Sequence, residues 1–399
     1  MQVAIIGAGF TGLSAAWELL KTDHQVTVLE KETQPGGLAI GFREPGWDWS
    51  LEKHYHHIFA SDTHIRALAE EIGHPYRFYD AKTYSLFETN NRLEYWRLDS
   101  PVSLLQFAKL NIADRLRMGA VLGYLKYFAD WQELEKTTAT TWLKKYLGDK
   151  NYHLVWEPLL MGKFGEFANQ VNMAWFWARV KARSQKLGYF DQGFLGLAKT
   201  LVTAIENHGG KVIFNKEVED IDKLVNQFDR VLIAGAPKLV KHQVTYLGTV
   251  NVILQLKVKF LPDDIYWLNM NIPKSPMLAI IEHTNMIDKS HYANQHLVYL
   301  AKYLPHDHEL FAMNDSAILD RYTPLLNRIN KNWKANLINF TVHRAKFTQP
   351  VMPINYSQFV PDFTTDHPKI FSASMQQVYP WDRGTNFAVE LGQKLAAAI

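Results

Sequence analysis

Val3-Ala4-Ile5-Ile6-Gly7-Ala8-Gly9-Phe10-Thr11-Gly12 is the stretch on which the fold turns. Four apolar residues in a row have the character of a strand buried on both faces. Beyond the glycines, Leu13, Ala16, Trp17 and Leu20 recur at helical spacing. A second apolar run, Val26 to Leu29, ends at Glu30, eighteen residues after the last glycine (30 − 12). Strand, Gly-x-Gly-x-x-Gly, helix, strand and acid in that order form a βαβ dinucleotide-binding unit. Gly7 permits the tight turn, Gly9 lets the backbone approach a pyrophosphate, and Gly12 lets the helix pack on the strand. The helix N-terminus offers free N–H groups and partial positive charge to the phosphates, and Glu30 accepts hydrogen bonds from ribose hydroxyls.

The next residues separate the cofactors. Lys31-Glu32-Thr33-Gln34-Pro35-Gly36-Gly37-Leu38 carries a glycine doublet just past the acid. With the first motif, it resembles the amine oxidase–protoporphyrinogen oxidase–phytoene desaturase superfamily, to which UDP-galactopyranose mutase is related. The resemblance implies non-covalently held FAD in a glycine-doublet (GR2-type) Rossmann-like domain. It puts Gly7, Gly9, Phe10, Thr11, Gly12, Glu30, Lys31, Gly36, Gly37 and Leu38 at the cofactor, and Val218 where the backbone meets adenine.

At the other end, Ile370-Phe371-Ser372-Ala373 reads as a strand and Thr385 to Ala398 as an amphipathic helix. The intervening Gln377 to Asn386 resembles the superfamily's closing strand–loop–helix. That likeness implies a helix N-terminus aimed at the flavin, with Gly384, Thr385 and Asn386 nearest. Three positions depart from the pattern. Ser374-Met375-Gln376 stands where many relatives have Gly-Asp, Thr385 where amine oxidases have tyrosine, and Leu38 where an arginine is common. The last two weigh against a simple amine substrate.

Working outward, the chain has 399 residues, 47% hydrophobic and 21% charged, which is globular composition and too long for one core. A net charge of +3 gives no field suited to nucleic acid. The absence of cysteine removes disulfides, zinc–cysteine sites, iron–sulfur ligation and a redox dithiol. No run approaches the ~20 apolar residues of a membrane span. The first strand at residue 2 leaves no room for a signal peptide, so the expected location is cytoplasmic.

The fold class expected is α/β, with an interleaved α+β substrate domain. Residues 1–80, 188–240 and 366–399 are assigned to the FAD-binding domain. Residues 81–187 form the helical part of the substrate domain, and 241–365 its sheet part. Strands are expected at Lys211 to Phe214, Glu217 to Ile221 and Asp229 to Ala234 (ending in Gly235-Ala236-Pro237), and a helix from Gly193 to His208. Residues 250–258 and 297–303 alternate apolar and polar residues, as antiparallel strands do.

Candidate reacting residues come next. His54-Tyr55-His56-His57 holds three histidines in four residues, but on a strand His57 would face away from the other two, and no downstream acid completes a metal spacing. His57-Ile58-Phe59 is similar to a stretch of UDP-galactopyranose mutases whose histidine lies beside the flavin. His56 and His57 are therefore flavin-proximal candidates, with core histidine as the alternative. Arg179 and Arg183, at i and i+4, would clamp a diphosphate or carboxylate, or else form a solvated face. His283 follows the apolar strand Met277 to Ile281 and is a candidate proton carrier near neutral pH. His343, Arg344 and Tyr356 are weaker candidates.

The function these features imply is dehydrogenation of a bulky, partly apolar small molecule by hydride transfer to flavin N5, as in protoporphyrinogen oxidases or desaturases. The alternative is a mutase-like isomerase acting on a nucleotide sugar; a flavin kept only as scaffold is the third reading. Apolar positions 104, 105, 108, 112, 116, 121, 122, 125 and 128, set among Lys and Arg, suit either burial or peripheral contact with a bilayer.

Overall fold

The computed structural model describes residues 1–235, 239, 244–262 and 264–399. Ala236, Pro237 and the expected boundary between residues 240 and 241 lie outside the described residues.

The apolar run at the N-terminus becomes the strand Gln2–Ile6, with Val3, Ala4, Ile5 and Ile6 buried. It is the middle strand of a five-stranded parallel sheet ordered Lys211–Ile213, Gln25–Leu29, Gln2–Ile6, Arg230–Ala234, Ile370–Ala373. Parallel strands must be covered on both faces, which is why these segments read as unbroken apolar runs. Three stretches distant in sequence thus build one sheet. The opening helix, Phe10–Leu20, packs against the closing helix, Thr385–Ala397, and against Gly193–Asn207. A Cβ on Gly392 would lie 2.3 Å from the Thr11 carbonyl oxygen, so the chain's two terminal helices meet backbone to backbone.

A seven-stranded sheet forms the second lobe, ordered Leu337–Pro350, Tyr246–Leu256, His296–Pro305, Ala279–Glu282, Ile265–Met270, Lys82–Thr89, Arg92–Arg97. Tyr246–Leu256 pairs antiparallel with both neighbours, and all its residues are buried. Both faces are covered, which explains why apolar–polar alternation in sequence does not become alternation in burial. Val250, Val252, Leu254, Val298 and Leu300 share a core with Ile318, Tyr322 and Leu326 of the helix Asp315–Ile329. Ile253, Leu297, Tyr299 and Tyr303 face the cofactor lobe instead.

Residues 101–182 form the helical lobe with its own core. The segment assigned to it from residue 81 begins differently: Lys82–Thr89 and Arg92–Arg97 are a hairpin of the seven-stranded sheet. A second correction concerns Glu217 to Ile221, which forms no strand. Asp220 Oδ1 accepts from Asp222 N at 3.1 Å and starts the helix Ile221–Gln227. An aspartate can outcompete strand formation by capping a helix. No described helix is long and apolar enough to cross a membrane.

Candidate active site where the lobes meet

The cofactor end is built from backbone. A Cβ on Gly12 would fall 2.0 Å from the Gly7 carbonyl oxygen, so only glycine lets the opening helix leave the strand here. Gly36 N donates to Ala8 O at 2.9 Å, and a Cβ on Gly37 would sit 3.1 Å from Gly9 Cα. The doublet therefore folds back onto the glycine turn. Glu30 is buried; its Oε2 accepts from Ala8 N at 2.7 Å and its Oε1 from Glu32 N at 2.9 Å. Two of the carboxylate's roughly four acceptor positions are thus used, and the others remain for a ribose.

The helices Phe10–Leu20 and Thr385–Ala397 have Gly9 and Gly384 as N-caps, with no side-chain cap and no acid in the first turn. Elsewhere Ser100, Asn111, Thr138 and Asn172 cap their helices with side chains. Unsatisfied N–H groups at both helix starts fit the anionic and carbonyl oxygens of a flavin dinucleotide. The seven residues from Thr385 to Gly392 offset the closing helix's start about 10 Å along its axis from the Gly392–Thr11 contact.

The remaining expected cofactor residues are distributed unevenly. Phe10 is buried edge-on to Phe194 at 6.4 Å, and Lys31 is exposed beside Glu32. Thr11, Leu38, Val218 and Thr385 are half-buried, Val218 against the core of Val225 and Ile233. The Asn386 side chain is committed elsewhere than expected. Its Oδ1 accepts from His64 N at 2.9 Å and Ile65 N at 3.2 Å, where it caps the helix Thr63–Glu71.

The histidine stretch 53–57 is irregular backbone rather than strand. His54 Nδ1 meets Thr249 Oγ1 at 3.3 Å, His56 Nδ1 meets His54 O at 2.6 Å, and His57 Nδ1 lies 3.5 Å from the Tyr266 hydroxyl. All three are half-buried, and His54 and His57 meet residues of the seven-stranded sheet. Burial pushes His54 down to about 3, His56 to about 4 and His57 to about 3; the Arg183 and Arg179 charges lower His57 further. They are neutral imidazoles at neutral pH. Among the described residues no three potential ligands come together as a metal site.

His283 requires a correction. It is buried among Tyr189, Tyr292 and Tyr299, with Nε2 2.9 Å from the Tyr292 hydroxyl. Burial lowers it to about 3, so it is uncharged near neutral pH and does not take up a second proton there. Beside it lies a group that sequence reasoning missed. Glu52 is fully buried, accepts from the Tyr189 hydroxyl at 2.6 Å and Phe194 N at 2.8 Å, and is raised to about 7 by burial. His343, Arg344 and Tyr356 are also held in structural contacts: His343 packs on Phe42, Arg344 pairs with Asp315, and Tyr356 donates to Gln376 O.

Arg179 is joined by partners that spacing did not reveal. Asp382, two residues before the closing helix's N-cap, accepts from Arg179 Nη1 at 2.6 Å and Trp175 Nε1 at 2.8 Å. Gln349 Nε2 reaches it at 3.2 Å, and Lys163 Nζ stands 3.6 Å away. Arg383 donates to Gln349 Oε1 at 3.1 Å and to the Tyr303 hydroxyl, which meets the Tyr55 hydroxyl at 3.2 Å. Burial alone would raise Asp382, but Lys163, Arg179 and Arg383 overcome it and hold the carboxyl below the usual range. Burial lowers Lys163 well below the usual amine value, and Arg179 and Arg383 add to that effect while Asp382 opposes it. One carboxylate shared by three cations is over-satisfied, and the lysine is under-satisfied. Arg183 points away from this cluster, donating to Thr83 Oγ1 at 3.0 Å. Asp382 and Arg383 abut Gly384 and so were findable from the motif; Lys163 had no local signal.

Comparison with known proteins agrees with this geometry. Residues 10–399 match the family described as flavin containing amine oxidoreductase. Similar folds across 100% of this chain include a putative protoporphyrinogen oxidase from Exiguobacterium sp. 255-15, at TM-score 0.72, 17% identity and 98% of that chain. Putrescine oxidase is similar at TM-score 0.72 and 15% identity over 99% of its chain. Cyclohexylamine oxidase from Brevibacterium oxydans is similar at TM-score 0.70 and 16% identity over 98% of its chain. In sequence, 51 residues (13% of this chain) are 43% identical to a 4,4'-diapophytoene desaturase of Staphylococcus haemolyticus, covering 10% of that enzyme. An L-amino-acid oxidase of Crotalus adamanteus is 48% identical over 46 residues, or 9% of its length. The matched segments thus span about a tenth of these curated relatives. The chain belongs to the flavin-containing amine oxidoreductase family, and the cofactor of its cleft is FAD.

Proposed function

We propose that the protein is an FAD-dependent oxidoreductase that dehydrogenates a bulky, partly apolar small molecule, in the manner of a protoporphyrinogen oxidase or a desaturase. The observation carrying this reading is the junction, read as the substrate cleft, where the loop before the closing helix meets the seven-stranded sheet and the 53–57 stretch through Arg383, Tyr303 and Tyr55. Its walls are aromatic: Tyr55 against Trp267 at 4.9 Å, and His57 against Tyr266 and Trp267 at 6.2 and 6.0 Å. FAD, once bound, would supply the two-electron acceptor for the hydride leaving the substrate.

The chain's own part is positioning. The glycine turn, Glu30 and Gly384 would hold the cofactor, and aromatic walls exclude water and orient an apolar body. His54, His56 and His57, kept neutral by burial, offer hydrogen bonds without a charge that would have to be desolvated. Thr385 and Leu38, in place of the tyrosine and arginine of amine oxidases, support a substrate other than a simple amine.

A lipophilic substrate would be met at a bilayer, and the helix Ile112–Tyr127 supports peripheral membrane contact. Its outward stripe of Ile112, Leu116, Tyr124 and Tyr127 is exposed, and Phe128 beyond it is 80% exposed. Its cations are turned onto backbone carbonyls: Arg115 to Leu110 O, Arg117 to Tyr146 O, Lys126 to Arg183 O. On the neighbouring helix Ala139–Leu147, Lys145 lies over the exposed Tyr146 ring, a cation that suits anionic lipid.

A nucleotide-sugar isomerase is the second reading, favoured by the His57-Ile58-Phe59 stretch and by Arg179, which keeps donors beyond the one spent on Asp382. The test is spectroscopic. The purified protein is expected to carry an oxidised-flavin spectrum that bleaches anaerobically with an electron-donating substrate. Turnover of UDP-galactopyranose only after dithionite reduction would favour the isomerase, and a colourless protein would refute both.

A further inference from the structure

The charges around Asp382 do not balance. Surface pairs such as Arg321–Glu309, Arg328–Glu88 and Arg344–Asp315 are matched one to one. Beside Asp382 the guanidinium groups of Arg179 and Arg383 already exceed the one carboxylate by one charge (2 − 1) among the described residues, before the burial-lowered Lys163 is counted. Lys163 is buried, with Nζ 5.1 Å from the ring centres of both Trp175 and Tyr303. Uncompensated charge in such surroundings is costly unless something negative joins it.

Donors are left over for that purpose. Arg179 spends Nη1 on Asp382 and keeps 44% of its side chain open. Arg383 spends Nε and Nη2 on Gln349 and Tyr303, which leaves Nη1. Asp382, Gln349 and Tyr303 thus brace two guanidinium groups, and a braced fork recognises planar or tetrahedral oxyanions.

The cofactor's diphosphate would not need these cations. It has the backbone N–H groups of the glycine turn on the parallel sheet, whereas Lys163, Arg179 and Tyr303 come from the helical lobe and the seven-stranded sheet.

We propose that the substrate carries an anionic oxo group, carboxylate or phosphate, which docks on Arg179 and Arg383 in front of the buried Lys163–Asp382 pair while its apolar body lies along Tyr55, His57 and Trp267. The proposal deepens the function given above and rests on the cleft being the substrate site. It makes the substrate an amphiphile with one acidic end.

Calorimetric titration of the purified, flavin-loaded protein tests it, with inorganic pyrophosphate, benzoate and neutral benzamide as probes. Saturable binding of pyrophosphate alone identifies a phosphate-bearing substrate, and of benzoate alone a carboxylate; benzamide should give no heat. Arg179→Gln is expected to weaken the bound anion about tenfold or more, with Arg179→Lys between it and wild type. The ratio of flavin to protein absorbance, read on the same samples, should be unchanged in both variants. If flavin is present and neither anion binds, or Arg179→Gln binds as wild type does, the anion site is refuted and the flavin reading stands. If anions bind in an Arg179-dependent way but flavin is absent, the redox reading falls and the anion site stands.

Discussion

Glu30 shows how much one carboxylate can do. It was legible as the acid that ends the second strand, and its place beside the glycine turn follows from the βαβ geometry. Not legible was that it also ties that turn together through Ala8 N and Glu32 N. Glu30→Ala therefore removes more than a ribose contact: two backbone donors lose their acceptor, at roughly 1–3 kcal/mol each if they stay dry. The expected result is a lower flavin-to-protein ratio together with a lower melting temperature, measured by absorbance and thermal denaturation. Full flavin content in the variant would contradict the assignment. The Asp382 cluster lies at the opposite extreme. Lys163, Arg179, Gln349 and Asp382 are brought together from widely separated stretches of chain, and nothing local marks which cation finds which acid. His283 fails for a related reason, because a histidine at a strand end looks the same in sequence whether the strand ends at a cleft or in a tyrosine-lined core.

Among elements, runs buried on both faces were the easiest to read, because parallel strands leave no polar side to confuse the pattern. The helix Ile112–Tyr127 was harder. Its apolar positions and those of the preceding helix Pro101–Gln106 suited either burial or a bilayer, and the structure divides them: Leu104 and Leu125 go inward, while Leu105, Ile112, Leu116 and Phe128 stay exposed. The sequence contains both sets at helical spacing, so it cannot say which set is covered. A contiguous uncharged stripe of this kind is unusual on a protein surface that meets only water. The double variant Leu116→Glu/Phe128→Glu should lose at least tenfold in co-sedimentation with phosphatidylglycerol vesicles, since each apolar side chain withdrawn from lipid forfeits about 1.5–3 kcal/mol. Flavin content should not change, because both side chains lie outside the core. If wild type ignores vesicles but forms a dimer that the variant dissolves, the stripe is an interface between copies instead.

For the molecule as a whole, burial of ionisable groups sets the response to pH. His54, His56, His57, His283 and His343 are lowered to about 3, 4, 3, 3 and 4, chiefly by burial. From those values up to the ordinary histidine value near 6.5, the unfolded chain binds more protons than the folded one, so stability rises with pH. Glu52, raised to about 7, acts in the opposite sense. Between the ordinary glutamate value and about 7 the folded state holds its proton and the unfolded state does not, so stability declines with pH, by at most about 1.4 kcal/mol per pH unit. Five histidines outweigh Glu52 and Asp62, the latter raised to about 6 by burial, below about pH 6.5, and of these groups Glu52 alone acts above it. Denaturant midpoints should therefore climb from about pH 4.5 to 6.5 and then level or dip toward 7.5. A midpoint flat from about pH 5 to 6.5 would contradict the buried, neutral histidines. The substrate-lobe register was the least legible feature at this scale, because strands such as Lys82–Thr89 and Ile265–Met270 pair across long separations that local pattern does not encode.

The parallel sheet takes its edge strand from Ile370–Ala373, and the opening helix is covered by Thr385–Ala397. A ribosome that has made the glycine turn must still translate more than three hundred codons before the helix that covers it exists. Early in biosynthesis the nascent Rossmann half therefore has bare apolar surface and no second grip for FAD. Vitamin loading becomes a late event in the life of each molecule, and riboflavin-starved cells would be expected to accumulate full-length apoprotein rather than truncated product.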